Sequence, residues 1–122
     1  MNQHESLIRR LCEASEGSAE LSAEVWTALT GVEHYVSKHG NVMRGNTGTE
    51  RMTVLTTNLS AAWEEARKKY SEIALVRNRH GECSAELWVP GGEIGTRQVA
   101  LIYGKHEACT LVAAILAAEG ER

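Results

Sequence analysis

EIALVRNRHGECSAELWVPGGEIGTRQVALIY, running from Glu72 to Tyr103, is the stretch whose reading decides the fold. Three strand-like runs lie inside it, Glu72 to Asn78, Cys83 to Val89 and Thr96 to Tyr103. Turn chemistry separates them, Arg79-His80-Gly81 at the first junction and Pro90-Gly91-Gly92 at the second. Connections this short join antiparallel neighbours, so the segment reads as a three-stranded meander.

Outward from the meander the periodicity changes from strand to helix. Before it, Leu59, Ala62, Trp63, Ala66 and Tyr70 trace one helical stripe, with Glu64, Glu65, Arg67, Lys68 and Lys69 on the other face. Glu64 and Glu65 stand four residues before Lys68 and Lys69, a charge-balanced exterior. After it, Glu107 to Glu119 is alanine-rich, and Ala108, Leu111, Val112, Ile115 and Leu116 give a wide apolar stripe that requires burial. Farther upstream, Ser6 to Ala14 and the segment that follows Ser18 read as two amphipathic helices, closed by Gly17 and Gly31. Residues 31–55 hold Gly31, Gly40, Gly45 and Gly48 and no clean period, so they read as a long loop with a short strand near Met52 to Leu55.

The expected architecture is therefore an α/β (α+β) layered sandwich in the order α-α-loop-α-β-β-β-α, its antiparallel three-stranded meander packed by helices. Residues 1–122 form a single domain: a helical segment over 1–30, the loop over 31–55 and an α-β-β-β-α core over 56–122. Trp26, Trp63 and Tyr70 supply the large core side chains, because the chain has no phenylalanine.

Composition excludes several chemistries. All 16 acidic residues are glutamates, so an aspartic dyad, an EF-hand loop and a Walker-B aspartate cannot be built, and a Ser-His-Asp triad would need glutamate in its place. Net charge is −3 with both signs interspersed, which leaves no global field to attract nucleic acid or an anionic membrane. The longest strongly apolar stretch, Leu111 to Ala118, falls well short of the ~20 residues of a membrane span, and the polar opening is no signal peptide. Three dispersed cysteines, Cys12, Cys83 and Cys109, point to reduced thiols and the cytoplasm, not to a disulfide framework.

Half of the chain carries a resemblance. Leu7-Ile8-Arg9-Arg10-Leu11-Cys12-Glu13-Ala14, then Gly17, Glu20-Leu21-Ser22-Ala23-Glu24 and Ala28-Leu29, resemble the start of the phage ABA sandwich domain family, small phage and prophage proteins of unassigned function. Thr57-Asn58-Leu59-Ser60-Ala61-Ala62-Trp63 is similar to that family's helix-opening motif, and Glu107 to Leu116 to its alanine-rich closing helix. Ser22 stands where the family has aspartate and Glu107 where proline is common, and residues 31–55 lack its proline-rich, aromatic character. The resemblance implies a sandwich fold, a phage or prophage origin and a bacterial host cytoplasm. It supplies no catalytic residues.

The α-β-β-β-α order of residues 58–119 is also similar in topology to a double-stranded-RNA-binding domain. That family grips phosphates with lysines near its last helix, whereas Gly104-Lys105-His106-Glu107 offers one lysine and an opposing glutamate. Residues 57–122 hold 8 basic and 9 acidic side chains, which is not the balance of an RNA binder.

Candidate site residues fall into three groups. Arg77, Arg79, His80, Trp88 and Arg97 fall on or between the strands. Arg77, Arg79 and Arg97 gathered on one sheet face with Trp88 would make a basic patch beside an indole, suited to a nucleotide, a nucleic-acid strand or an acidic protein, whereas the reading the sequence favours is an amphipathic sheet with a solvated outer face and the tryptophan in the core. Arg44 and Arg51 flank Gly45-Asn46-Thr47-Gly48-Thr49, a glycine loop that lacks the lysine and hydroxyl ending of a P-loop. Lys105 precedes the last helix, whose free N–H groups attract anions. The five histidines show no metal-ligand spacing, and no cysteine has a polarising neighbour in sequence, so no metal, cofactor or catalytic residue is assigned.

The sequence therefore reads as a non-enzymatic phage or prophage protein that binds a host protein or sequesters a small signalling molecule, in host takeover or counter-defence. The alternative is a nucleic-acid or nucleotide-binding module working through the sheet face. Two open sheet edges would also permit a homo-oligomer.

Overall fold

Ser18 and Asn58 start their helices by the chemistry that such residues perform at a helix N-terminus. The Ser18 hydroxyl accepts the Leu21 N–H at 3.1 Å, and the Asn58 Oδ1 accepts the Ala61 N–H at 3.1 Å. The structure is a computed structural model that describes residues 4–45, 50–91 and 95–120. Its elements are α1 (Glu5–Glu13), α2 (Ala19–Thr30), β1 (His34–Val36), β2 (Val42–Arg44), β3 (Arg51–Met52), α3 (Leu59–Arg67), β4 (Glu72–Arg77), β5 (Cys83–Pro90), β6 (Thr96–Gly104) and α4 (Glu107–Gly120). Residues 46–49 of the glycine loop and Gly92 of the second meander turn lie outside the described residues.

The antiparallel meander is present in the order β4-β5-β6, with helices packed on it, as the sequence leads one to expect. The segment read as a long loop differs: it carries a second antiparallel sheet, β1-β2-β3. Its strands are only two or three residues long, too short to display a period of two. The first hairpin turns at Gly40, whose φ of 83° only glycine adopts cheaply. Val42 is buried, His34 and Val36 lie on its side of the ribbon, and α2 packs beneath them.

Two further details depart from the helical reading. Tyr70 is buried but lies beyond the end of α3, so its burial comes from the turn into β4, where its hydroxyl donates to Glu119 at 3.3 Å. The exterior charges of α3 pair at three residues' spacing, Arg67 with Glu64 and Lys68 with Glu65, while Lys69 reaches across to Glu119 on α4 at 2.9 Å.

α4 is the central element. Every residue from Ala108 to Leu116 is buried, so the helix has no polar face over those turns. It lies across one face of β5 and β6 and is enclosed by α1, α2 and α3. On the sheet side it meets Cys83, Ala85 and Leu87 of β5, all fully buried. Helices therefore cover one face of the larger sheet.

A polar latch joins the start of α2 to the entrance of α3. Thr56 Oγ1 accepts the Ser18 N–H at 2.9 Å and donates to the Ser18 carbonyl at 2.8 Å. With that proton committed, the Ser22 hydroxyl, 2.8 Å away, donates to Thr56 and accepts the Thr56 N–H at 3.1 Å. Gly17 lies so close that a Cβ there would overlap the Thr56 carbonyl, which leaves room for glycine alone.

Candidate docking surface

Strand register assigns every side chain of β4-β5-β6 to a face. Glu72 pairs with Trp88, Ala74 with Glu86 and Val76 with Ser84; on the other side, Glu86 pairs with Leu101 and Ser84 with Tyr103. Cross-strand partners share a face, so these residues stand together on the face away from α4. A bulge at Leu87/Trp88 inserts Val99, after which Gln98 pairs with Trp88 and rejoins the outer set. The Gln98 side chain reaches Glu86 at 3.5 Å, which places both on that face. Glu82, beside Asn78 at the hairpin end, continues the same alternation.

The outer face is apolar and acidic. Val76, Leu101 and Tyr103 are 56%, 41% and 57% exposed, and Trp88 and Ala74 are half-buried between them. Its charges among the described residues are Glu72, Glu82 and Glu86, and no lysine or arginine of the three strands faces that way.

The basic patch that the residue types allowed does not form. Arg77 pairs with Cys83, which faces the helices, so Arg77 lies on the side opposite Trp88. There it donates to Glu107 at 2.8 Å and to the Gly81 carbonyl at 3.0 Å, tying the hairpin to the start of α4. Arg97 pairs with Val89, which packs on the core side, at the far end of the sheet. Six residue steps along β5, from Cys83 to Val89, separate the partners of Arg77 and Arg97, about 20 Å of strand. Arg79 and His80 are exposed in the β4–β5 turn, and neither accompanies Trp88.

The other expected pair separates too. Arg51 opposes Met43, and Arg44 opposes Glu50, so the two arginines project from opposite faces of the β2–β3 ribbon and cannot close on one anion. Arg44 pairs instead with Glu50 at 3.7 Å. Lys105 is exposed before α4, its N–H donating to the Cys12 carbonyl at 3.2 Å.

Concave sites are shallow and mixed in character. A groove of about 410 Å³ by the start of α3 is lined by Asn41, Arg51, Thr53, Thr57 and Asn58, and a trough of about 590 Å³ between α1, α2 and β1 by Leu7, Ala28, Glu24, Glu33 and His34. His34 is a core histidine: its ring stacks on Trp26 with centroids 6.2 Å apart, and Nδ1–H donates to the Val32 carbonyl at 2.7 Å. Among the described residues no three histidine, cysteine or glutamate side chains converge as a metal site, and no helix is long and apolar enough to cross a membrane.

The three cysteines, remote in sequence, sit near one another around the β6–α4 turn. Cys83 Sγ is 3.8 Å from the Lys105 carbonyl, whose N–H is held by Cys12. Burial, and next the neighbouring Cys12, pushes the Cys109 thiol up to about 11, and burial is likewise the main cause raising Cys12 and Cys83. All three are thiols at neutral pH, the wrong form for a nucleophile. The unfolded chain ionises the Cys109 thiol near the ordinary value of 9.0, whereas the folded chain holds the proton to about 11. Its contribution to stability is therefore complete below about pH 9 and is lost toward pH 11. Urea midpoints at pH 8 and pH 10.5 should fall more for the wild type than for Cys109→Ala; equal falls would contradict this.

No known family model, curated protein or solved structure matches the chain.

Proposed function

We propose that this chain is a small non-enzymatic binding protein, encoded by a phage or prophage, that engages a host protein in the bacterial cytoplasm through the outer face of β4-β5-β6. The phage or prophage origin is supported by the resemblance of the N-terminal helices and the alanine-rich closing helix. The observation that carries the binding role is the face itself, where Val76, Leu101 and Tyr103 are exposed beside three glutamates. Exposed apolar area rimmed by charge is the character of a protein-docking surface. Among the described residues the same face offers phosphates no cation, which weighs against a nucleic-acid strand or a phosphorylated signalling molecule at this position.

Capture from a bacterial host tests the reading. Tagged wild type and the Leu101→Glu/Tyr103→Glu double variant would be compared with and without nuclease treatment, with circular dichroism confirming that both are folded. The expected result is a stoichiometric protein held by the wild type and lost from the variant. Co-eluting nucleic acid that disappears as salt rises, or an identical partner on both forms, would contradict it.

A further inference from the structure

The geometry points to a particular occupant of the outer face: one amphipathic helix of the partner, presenting a lysine or arginine to Glu86 between two apolar side chains. This rests on the docking role proposed above and specifies what docks.

Three observations select the helix. Between the axes of β4 and β6 the face is about 10 Å wide, and β5 is about 26 Å long. That strip is close to the ~10 Å diameter of a helix and to about 17 residues of its length. A second copy of this chain is a poor occupant, because a two-fold pairing of two such faces would bring Glu86 toward its own counterpart. Finally, helices already cover the other side of the sheet, and a helix on the open side would complete a three-layer arrangement.

Glu86 selects the charge. It occupies the middle strand, with Ala74 and Leu101 as its two cross-strand neighbours, and it is half-buried. Its one hydrogen bond among the described residues is the long contact from Gln98. An ionised carboxylate has about four acceptor positions, so Glu86 retains capacity for a cation from outside. On either side along the strands stand the Val76–Tyr103 row and the Trp88 row. These rows lie about 7 Å from Glu86, two residues of strand, against about 6 Å for four residues of helix. The matching helix therefore carries its basic residue four positions from an apolar residue on each side.

Fluorescence anisotropy with synthetic helical probes tests this. Three labelled 18-residue peptides of about that length would share one apolar stripe and differ only at the central position, lysine, glutamine or glutamate. They would be titrated against the wild type, Glu86→Gln and Leu101→Glu. The lysine probe should bind the wild type about tenfold more tightly than the glutamate probe, lose that advantage on Glu86→Gln, and bind Leu101→Glu weakly. Equal binding of all three probes, abolished by Leu101→Glu, would overturn the basic helix while leaving the docking face intact. Probes that ignore Leu101→Glu would overturn the face itself. A wild-type dimer in sedimentation, dissociated by Leu101→Glu, would assign the face to a second copy and overturn the helix, as would no binding by any probe.

Discussion

Thr56→Val should lower the free energy of unfolding by about 3 kcal/mol, although valine has nearly the same shape and leaves no cavity. The loss lies in hydrogen bonding alone. The threonine hydroxyl serves the N–H and the carbonyl of Ser18 and the hydroxyl of Ser22, and valine leaves all three without that partner. Each group stranded away from water costs about 1–3 kcal/mol, reduced where the part-buried ones recover a water. Thr56→Ser retains the hydroxyl and removes one methyl group, so it should cost only about 1 kcal/mol. Urea unfolding of the two variants separates the contributions, and a larger loss for Thr56→Ser than for Thr56→Val would show that the latch works by packing instead.

Leu111→Ala should cost about 3 kcal/mol, while Leu101→Ala should stay within about 0.5 kcal/mol of the wild type. Leu111 is fully buried on a helix enclosed by the sheet and three other helices, so its removal loses transfer free energy and opens a cavity. Leu101 is 41% exposed and stands away from that core. The comparison bears on function as well as stability. A leucine that the fold does not need, held beside Tyr103 and Val76 on an uncovered face, is available for a partner. Comparable losses in the two variants would mean that Leu101 belongs to the core, and the docking reading would fall with it.

The larger sheet and all four helices were legible because their signals are local and long. Ser18 and Asn58 cap where caps are expected, Gly31 ends α2 with a φ of 74°, and eight or nine residues of strand between turn residues suffice to announce β5 and β6. The smaller sheet was not legible, since three residues such as Val42-Met43-Arg44 show no alternation of their own and are held by pairing with distant neighbours.

The faces of the sheet could have been read further than residue type alone allowed. Arg77 and Trp88 lie on different strands, and their faces follow only from the pairing of Arg77 with Cys83 and of Glu72 with Trp88. Counted across that hairpin, the even-numbered residues of β4 and β5 face outward together, which sets Glu72, Val76, Glu86 and Trp88 against Ile73, Leu75 and Leu87. The bulge in β6 shifts that count by one, and it alone assigns Arg97 to the side of Val89 and Gln98 to the side of Trp88. No sequence feature marks that bulge, so the choice between a basic patch and another outer face was settled only when the register was known.

The outer face of β4-β5-β6 is the surface proposed to meet the partner, and the chain carries its own control for it. Tyr103 on that face and Tyr35 on the smaller sheet are 57% and 42% exposed, whereas Tyr70 is buried. Mild tyrosine nitration of the chain alone and of the chain with its captured partner, read site by site by mass spectrometry, compares them directly. Protection of Tyr103 with Tyr35 still reactive is the predicted result; protection of Tyr35 with Tyr103 unchanged would place the partner on the other sheet and contradict the account.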